Sequence, residues 1–163
     1  MRTVRHPVAA LAPTLSRRSF TFLTAGVVVS GAAGCARDEG PDELEAPWAA
    51  ARADAAAAAA AATAFPDAAA RLTPVAEARR AHADALATEI RRARPDRSEV
   101  LDAPAPAVGT PPSAAEAVTA LRTSVGAARE AASTLAVSTA RYRAGLVASV
   151  AASCAGWAEV LAS

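Results

Sequence analysis

Residues 51–65 read ARADAAAAAAAATAF, and this run narrows the fold more than any other part of the chain. Alanine is the strongest helix former. The flanking residues give the run a face: Leu44, Trp48, Ala51, Ala55, Ala58, Ala62 and Phe65 step by four and three along one side of a helix. Trp48 and Phe65 supply bulk at the two ends, and alanine between them lets a neighbouring helix approach to the short end of the usual ~8–10 Å. A disordered alanine-rich linker is the competing reading.

Three more segments carry the same period. Phe65-Pro66-Asp67 ends the first helix, and a short turn runs to Leu72. Thr73-Pro74 then reads as a helix start, with Thr as N-cap and Pro at the first helical position. That helix runs to about Arg94 on a stripe of Val75, Arg79, His82, Leu86 and Ile90. Residues 95–112 hold Pro95, Pro104, Pro106, Pro111, Pro112 and Gly109. Regular structure is not expected at that proline density, and a crossover of this length is functional or mobile. Ser113-Ala114-Ala115-Glu116 is a capping box. From it Ala114, Val118, Leu121, Val125, Ala128, Ala132 and Leu135 repeat without a miss. The pattern falters at Val137-Ser138-Thr139, where either hydroxyl can cap a fourth helix, and Leu146 or Val147, Val150, Cys154, Trp157 and Leu161 resume it. A single helix from Ser113 to Leu161 would span about 70 Å at ~1.5 Å per residue, too long for its partners, so a break is expected. The expected architecture is all-α: a four-helix bundle over residues 48–163, with its proline-rich crossover at 95–112.

At 163 residues there is room for one such domain. Aromatic residues are 4% of the chain, so an alanine-built core should be thin and its stability modest. All seventeen basic residues are arginine, which a GC-rich genome explains. Thirteen of them follow Cys35, against sixteen acids. That balance excludes a nucleic-acid binder, which needs a clustered basic face.

The N-terminal segment reads as an address. Residues 1–18 are basic, and residues 20–33 form an apolar run diluted by Thr21, Thr24, Gly26, Ser30 and Gly31. A membrane-spanning helix needs about 20 apolar residues, whereas a basic start, a short apolar centre and small residues suit a signal peptide over residues 1–34. Ser16-Arg17-Arg18-Ser19-Phe20 resembles the twin-arginine export signal, with Arg17, Arg18 and Phe20 as its signature. Ala32-Ala33-Gly34-Cys35 resembles the lipobox of bacterial lipoproteins, with Ala32 in place of the usual Leu. The resemblance implies that Cys35 receives a diacylglyceryl group and becomes the first mature residue. An uncleaved anchor, or a cut nearby that leaves Cys35 free, is the alternative. Residues 35–47, polar, acidic and interrupted by Gly40 and Pro41, read as a flexible tether.

Chemistry-bearing residues are few. Beyond the signal the one histidine is His82, three residues after Arg79, so the Glu-x-x-His pair of di-metal bundles is missing. His82, Arg79 and Glu77 are the candidates for a ligand or metal, with Glu89 on the same helix. The plainer reading makes His82 a hydrogen-bonded, partly buried side chain. Cys154 reads as a small buried hydrophobe, and Tyr142, between Arg141 and Arg143, either as a contact to an anionic headgroup or equally as a solvated helix start. No catalytic constellation, phosphate loop or Cys-x-x-Cys occurs, so neither catalytic residues nor cofactors are expected.

The stretches from Arg71 to Leu86 and from Leu146 to Leu161 resemble small actinobacterial twin-arginine-exported lipoproteins related to a ferritin-like domain of unknown function. The resemblance covers about two thirds of the mature chain. It implies ferritin-like bundle topology and a place on the extracytoplasmic face of the cytoplasmic membrane. The expected partners are the membrane through the lipid, the export and processing machinery in transit, and an unidentified envelope protein. The expected function is a non-enzymatic binding or structural module. The alternatives are a degenerate ferritin-like metal-binding protein and a small-ligand-binding bundle.

Overall fold

The computed structural model describes residues 40–109 and 111–163. Residues 1–34, read from the sequence as a signal peptide with Arg17, Arg18 and Phe20, and the lipid-attachment candidate Cys35 lie outside the described residues. The chain is all-α, and within the described residues its regular structure is wholly helical: α1 Glu45–Ala64, α2 Pro66–Ala93, a 3-10 turn Pro95–Arg97 leading into the single turn α3 Ser98–Leu101, α4 Ala114–Ser138 and α5 Arg141–Val160.

The first helix begins inside the segment expected to be a tether. Asp42 Oδ1 accepts from the Leu44 N–H at 2.9 Å, and Glu45 Oε1 accepts from the Asp42 N–H at 2.9 Å. This reciprocal closure satisfies donors that a helix N-terminus leaves orphaned, and both Asp42 and Leu44 are buried. Along α1 most of the expected face is buried, namely Leu44, Trp48, Ala51, Ala55 and Ala58, whereas Ala62 and Phe65 are only partly buried against the core.

The second helix starts earlier than Thr73. Phe65, at φ −129°, ends α1 with its N–H bonded to Ala61, and Pro66 takes the first position of α2. Pro74 therefore sits inside the helix. The expected turn is replaced by helix because Leu72 is fully buried and lies on one stripe with Val75, Ala76 and Arg79, at spacings of three, four and seven. The burial of that stripe outweighs the backbone hydrogen bond that Pro74 cannot donate.

The crossover is likewise more ordered than its prolines suggest. Leu101 is buried against the core, and Arg52 Nη2 donates to the Ala103 carbonyl at 2.8 Å. Ser113 Oγ accepts from the Glu116 N–H at 3.2 Å, which starts α4 as expected. The break before α5 is also present, but neither hydroxyl caps α5. Ser138 Oγ donates back to Leu135, Thr139 Oγ1 is buried without a partner, and the N-cap is Ala140.

The four long helices share one apolar core. α1 packs on α2 and α4, and α5 packs on α4 and α2. Glu45 meets Arg97 just beyond α2, and Asp54 meets Arg79, so α1 and α2 run antiparallel. Arg79 meets Cys154 and Glu89 meets Arg143, so α5 also opposes α2. Near one end of α1, Ala57 and Ala61 border the same cavity as Ala117 and Leu121; near the other, Ala46 and Ala50 border a groove with Ala128 and Leu135. α4 therefore opposes α1, and the crossover carries the chain back along the length of α2.

Candidate functional site

At the centre of this core lies an ion pair. Arg79 is fully buried on α2 and Asp54, on α1, is 3% exposed. Arg79 Nε donates to Asp54 Oδ2 at 2.9 Å, and Nη2 lies 2.9 Å from the same oxygen but is not aligned to hydrogen-bond it. The other carboxylate oxygen of Asp54 accepts from the Ser124 hydroxyl on α4. Arg79 Nη1 donates to His82 Nδ1 at 3.1 Å and to the Cys154 Sγ on α5 at 3.2 Å. Groups from all four long helices thus meet at this one ion pair, with Ser124 of α4 on its carboxylate side.

The protonation states follow from burial. Burial, with the Arg79 charge beside it, pushes His82 down to about 4, so at neutral pH the imidazole is uncharged and Nδ1 accepts from Arg79. Burial raises the Cys154 thiol, against the opposing pull of Arg79. The sulfur is therefore a thiol and a weak acceptor rather than a nucleophile. His82 and Cys154 both face Arg79, and His82 Nδ1 is occupied by it, so the cluster offers no base poised on a nucleophile.

Nor does the donor set fit a metal ion. A guanidinium lies among Asp54, His82 and Cys154 where a cation would sit. Among the described residues, no three His, Cys, Asp or Glu side chains gather into a possible ligand set. Arg79 also borders an apolar groove of about 290 Å³ between α1 and α4, with Pro47, Leu135 and Val150 in its wall.

A second charged cluster ties one end of the helices together. Arg143, in the first turn of α5, reaches Asp42 at 2.9 Å, Glu89 at 3.0 Å and Glu43 at 3.1 Å. Burial works against its charge, but these hydrogen bonds outweigh it and raise the pKa of Arg143. The Arg92 guanidinium is the main cause that holds Glu89 down at about 2, with burial opposing and Arg143 assisting. Glu45 is held low by its hydrogen bond to Arg97, again against its burial.

Of the candidates read from the sequence, the structure brings Arg79 and His82 together and adds Cys154. Glu77 is exposed and borders a shallow surface pocket with Arg80, so it is not part of the cluster. Glu89 belongs to the Arg143 clasp. Tyr142 is exposed, whereas its neighbour Arg143 is the clasp itself. The sequence reading missed Asp54 and Ser124. The signal for Asp54 was present: it lies three residues after Ala51 and four before Ala58, a charge on the buried face of α1 that matches the charge on the stripe of α2.

No protein-family model matches the chain, and no curated protein or solved structure is significantly similar to it.

Proposed function

We propose that the chain is a lipid-anchored, non-enzymatic helical module on the extracytoplasmic face of the bacterial cytoplasmic membrane, which binds another envelope component without transforming it. The observation that carries this reading is the closed core. Arg79 gathers Asp54, His82 and Cys154 onto itself, which leaves the outer helix faces and the crossover as the surfaces for recognition. The helix directions support a finer description: two antiparallel hairpins joined by one long crossover is the four-helix bundle connectivity of ferritin-like folds. With Arg79 at its centre, the bundle holds a structural ion pair where ferritin-like enzymes place metal.

The address rests on Arg17-Arg18, Phe20 and the Ala32-Ala33-Gly34-Cys35 sequence. Within the described residues, no helix is long and apolar enough to cross a membrane; in this reading the anchor is the lipid on Cys35.

Intact-mass analysis of protein recovered from membranes tests it. The expected product begins at Cys35 with a diacylglyceryl group, and Cys35→Ser releases the protein from the membrane fraction. A mature chain that starts elsewhere with Cys35 unmodified overturns the anchor. Stoichiometric iron, manganese or zinc that disappears on His82→Ala overturns the non-metal reading. A small-ligand-binding bundle is the second reading, favoured by the groove beside Arg79.

A further inference from the structure

The cleft between α1, α2 and the crossover carries charges that the fold uses only in part. It measures about 340 Å³ and is bordered by Trp48, Arg52, Arg80, Asp84, Arg91 and Leu101 among others; small-molecule sites begin at roughly 300 Å³. The Arg52 guanidinium lies over the Trp48 ring, 4.8 Å from its centroid. Stacking holds the plane of the fork. A single hydrogen bond, to Ala103, leaves most of its N–H groups unspent. Arg91 pairs with Asp102 of the crossover at 2.7 Å, and both side chains are exposed. Among the described residues, Arg80 makes no ion pair or side-chain hydrogen bond. One carboxylate, Asp84, shares the wall with these three cations, and Asp102 offsets Arg91 from outside it.

We propose that this cleft binds a phosphate-bearing anion of small-molecule size. Arg52 and Arg80 hold the phosphate oxygens, and the ligand displaces Asp102 from Arg91. Guanidinium forks pair with phosphate oxygens two at a time. A carboxylate is satisfied by one fork, whereas three arginines around one concavity suit a group with more oxygens and more charge. Trp48, Leu101 and the neighbouring alanines offer an apolar wall to the carbon part of the ligand. The crossover closes the cleft, and the Arg52 and Arg91 contacts that hold it there couple binding to its position. A free phosphorylated metabolite and a phospholipid headgroup share this chemistry. The inference deepens the binding-module reading and rests on it. The mature N-terminus tests that reading alone, and anion titration tests the cleft alone.

The experiment titrates the full chain, in a Trp157→Phe background, with inorganic pyrophosphate and with glycerophosphoglycerol at constant ionic strength, reading Trp48 fluorescence. The expected result is a saturable change, weakened at least about tenfold by Arg80→Ala with the melting temperature unchanged because Arg80 is exposed and unpaired. Tighter binding of pyrophosphate assigns the site to a free phosphorylated ligand, and tighter binding of the diester assigns it to a headgroup. Asp102→Asn, which frees Arg91, is expected to tighten binding. No saturable response to either probe, or a response that Arg80→Ala and Arg52→Ala leave unchanged, overturns the site. Weaker binding in Asp102→Asn overturns the displacement.

Discussion

Asp54 and Arg79 face each other at 2.9 Å in the middle of the helical core, with side chains 3% and 1% exposed. Removing two charges from water costs several kcal/mol each, and the pair recovers that cost only through close geometry and further hydrogen bonds. Ser124 supplies one such bond to Asp54, and His82 and Cys154 accept from Arg79. The arrangement identifies a role for residues that carry no chemistry of their own: they solvate the two halves of one buried ion pair, with only Arg79 Nη2 left without a hydrogen bond.

His82 makes stability depend on pH in a defined window. The unfolded chain takes up a proton near 6.5, while folded His82 resists protonation down to about 4. Its contribution is complete above pH 6.5 and is lost as the pH falls from 6.5 to 4, at up to about 1.4 kcal/mol per pH unit. Urea unfolding across that range should show the slope, and His82→Gln should flatten it. Glu89 acts in a lower window: its contribution is present above about 4.5 and is lost as the pH falls through about 2. A slope confined to pH below 4.5 in the wild-type chain contradicts the role given to His82.

The clasp at Arg143 should matter far more than its neighbours in sequence. Arg143→Met leaves the buried carboxylates of Asp42 and Glu89 short of a cation, and should cost about 2–4 kcal/mol. It should also speed amide exchange in the first turns of α5. Arg92 is 69% exposed, and Arg92→Met should shift the urea midpoint less than Arg143→Met does. Equal effects of the two substitutions on the urea midpoint would contradict the difference in burial.

Pro74 separates the observed helix boundary from the one its dipeptide suggests. Pro inside a helix is disfavoured by about 3 kcal/mol relative to Ala, whereas at the first helical position it costs nothing. Because Pro74 is exposed and within α2, Pro74→Ala should raise the melting temperature, with a gain of about 1–3 kcal/mol. A neutral or destabilising result would favour a helix start at Thr73.

The periodic signals were legible because burial in a helix follows the chain with a fixed period. Leu86, Ile90, Val118, Leu121, Val147 and Cys154 were read onto buried faces, and they are buried. The misses arose where two local signals competed or where a partner was distant in sequence. Pro66 and Pro74 both suit a helix start, and only the burial of Leu72 decides between them. Asp54 disappeared into an alanine run because a search for apolar spacing passes over a charge on the stripe. Arg143 meets Asp42 across 101 residues, a separation that no local pattern can report. Ser138 and Thr139 have cap chemistry, yet the chain passes through Ala140 and then Arg141 at φ 57°, a turn that leaves neither hydroxyl on the α5 terminus.

The most direct measurement is a double-mutant cycle on the central pair, read by urea unfolding. Asp54→Ala leaves Arg79 buried and unpaired, and Arg79→Met leaves Asp54 with only Ser124; each should cost about 3–5 kcal/mol. The double variant should be no less stable than the better single variant, giving a coupling of at least about 3 kcal/mol. Single effects that add to within about 0.5 kcal/mol would contradict an ion pair that closes the core.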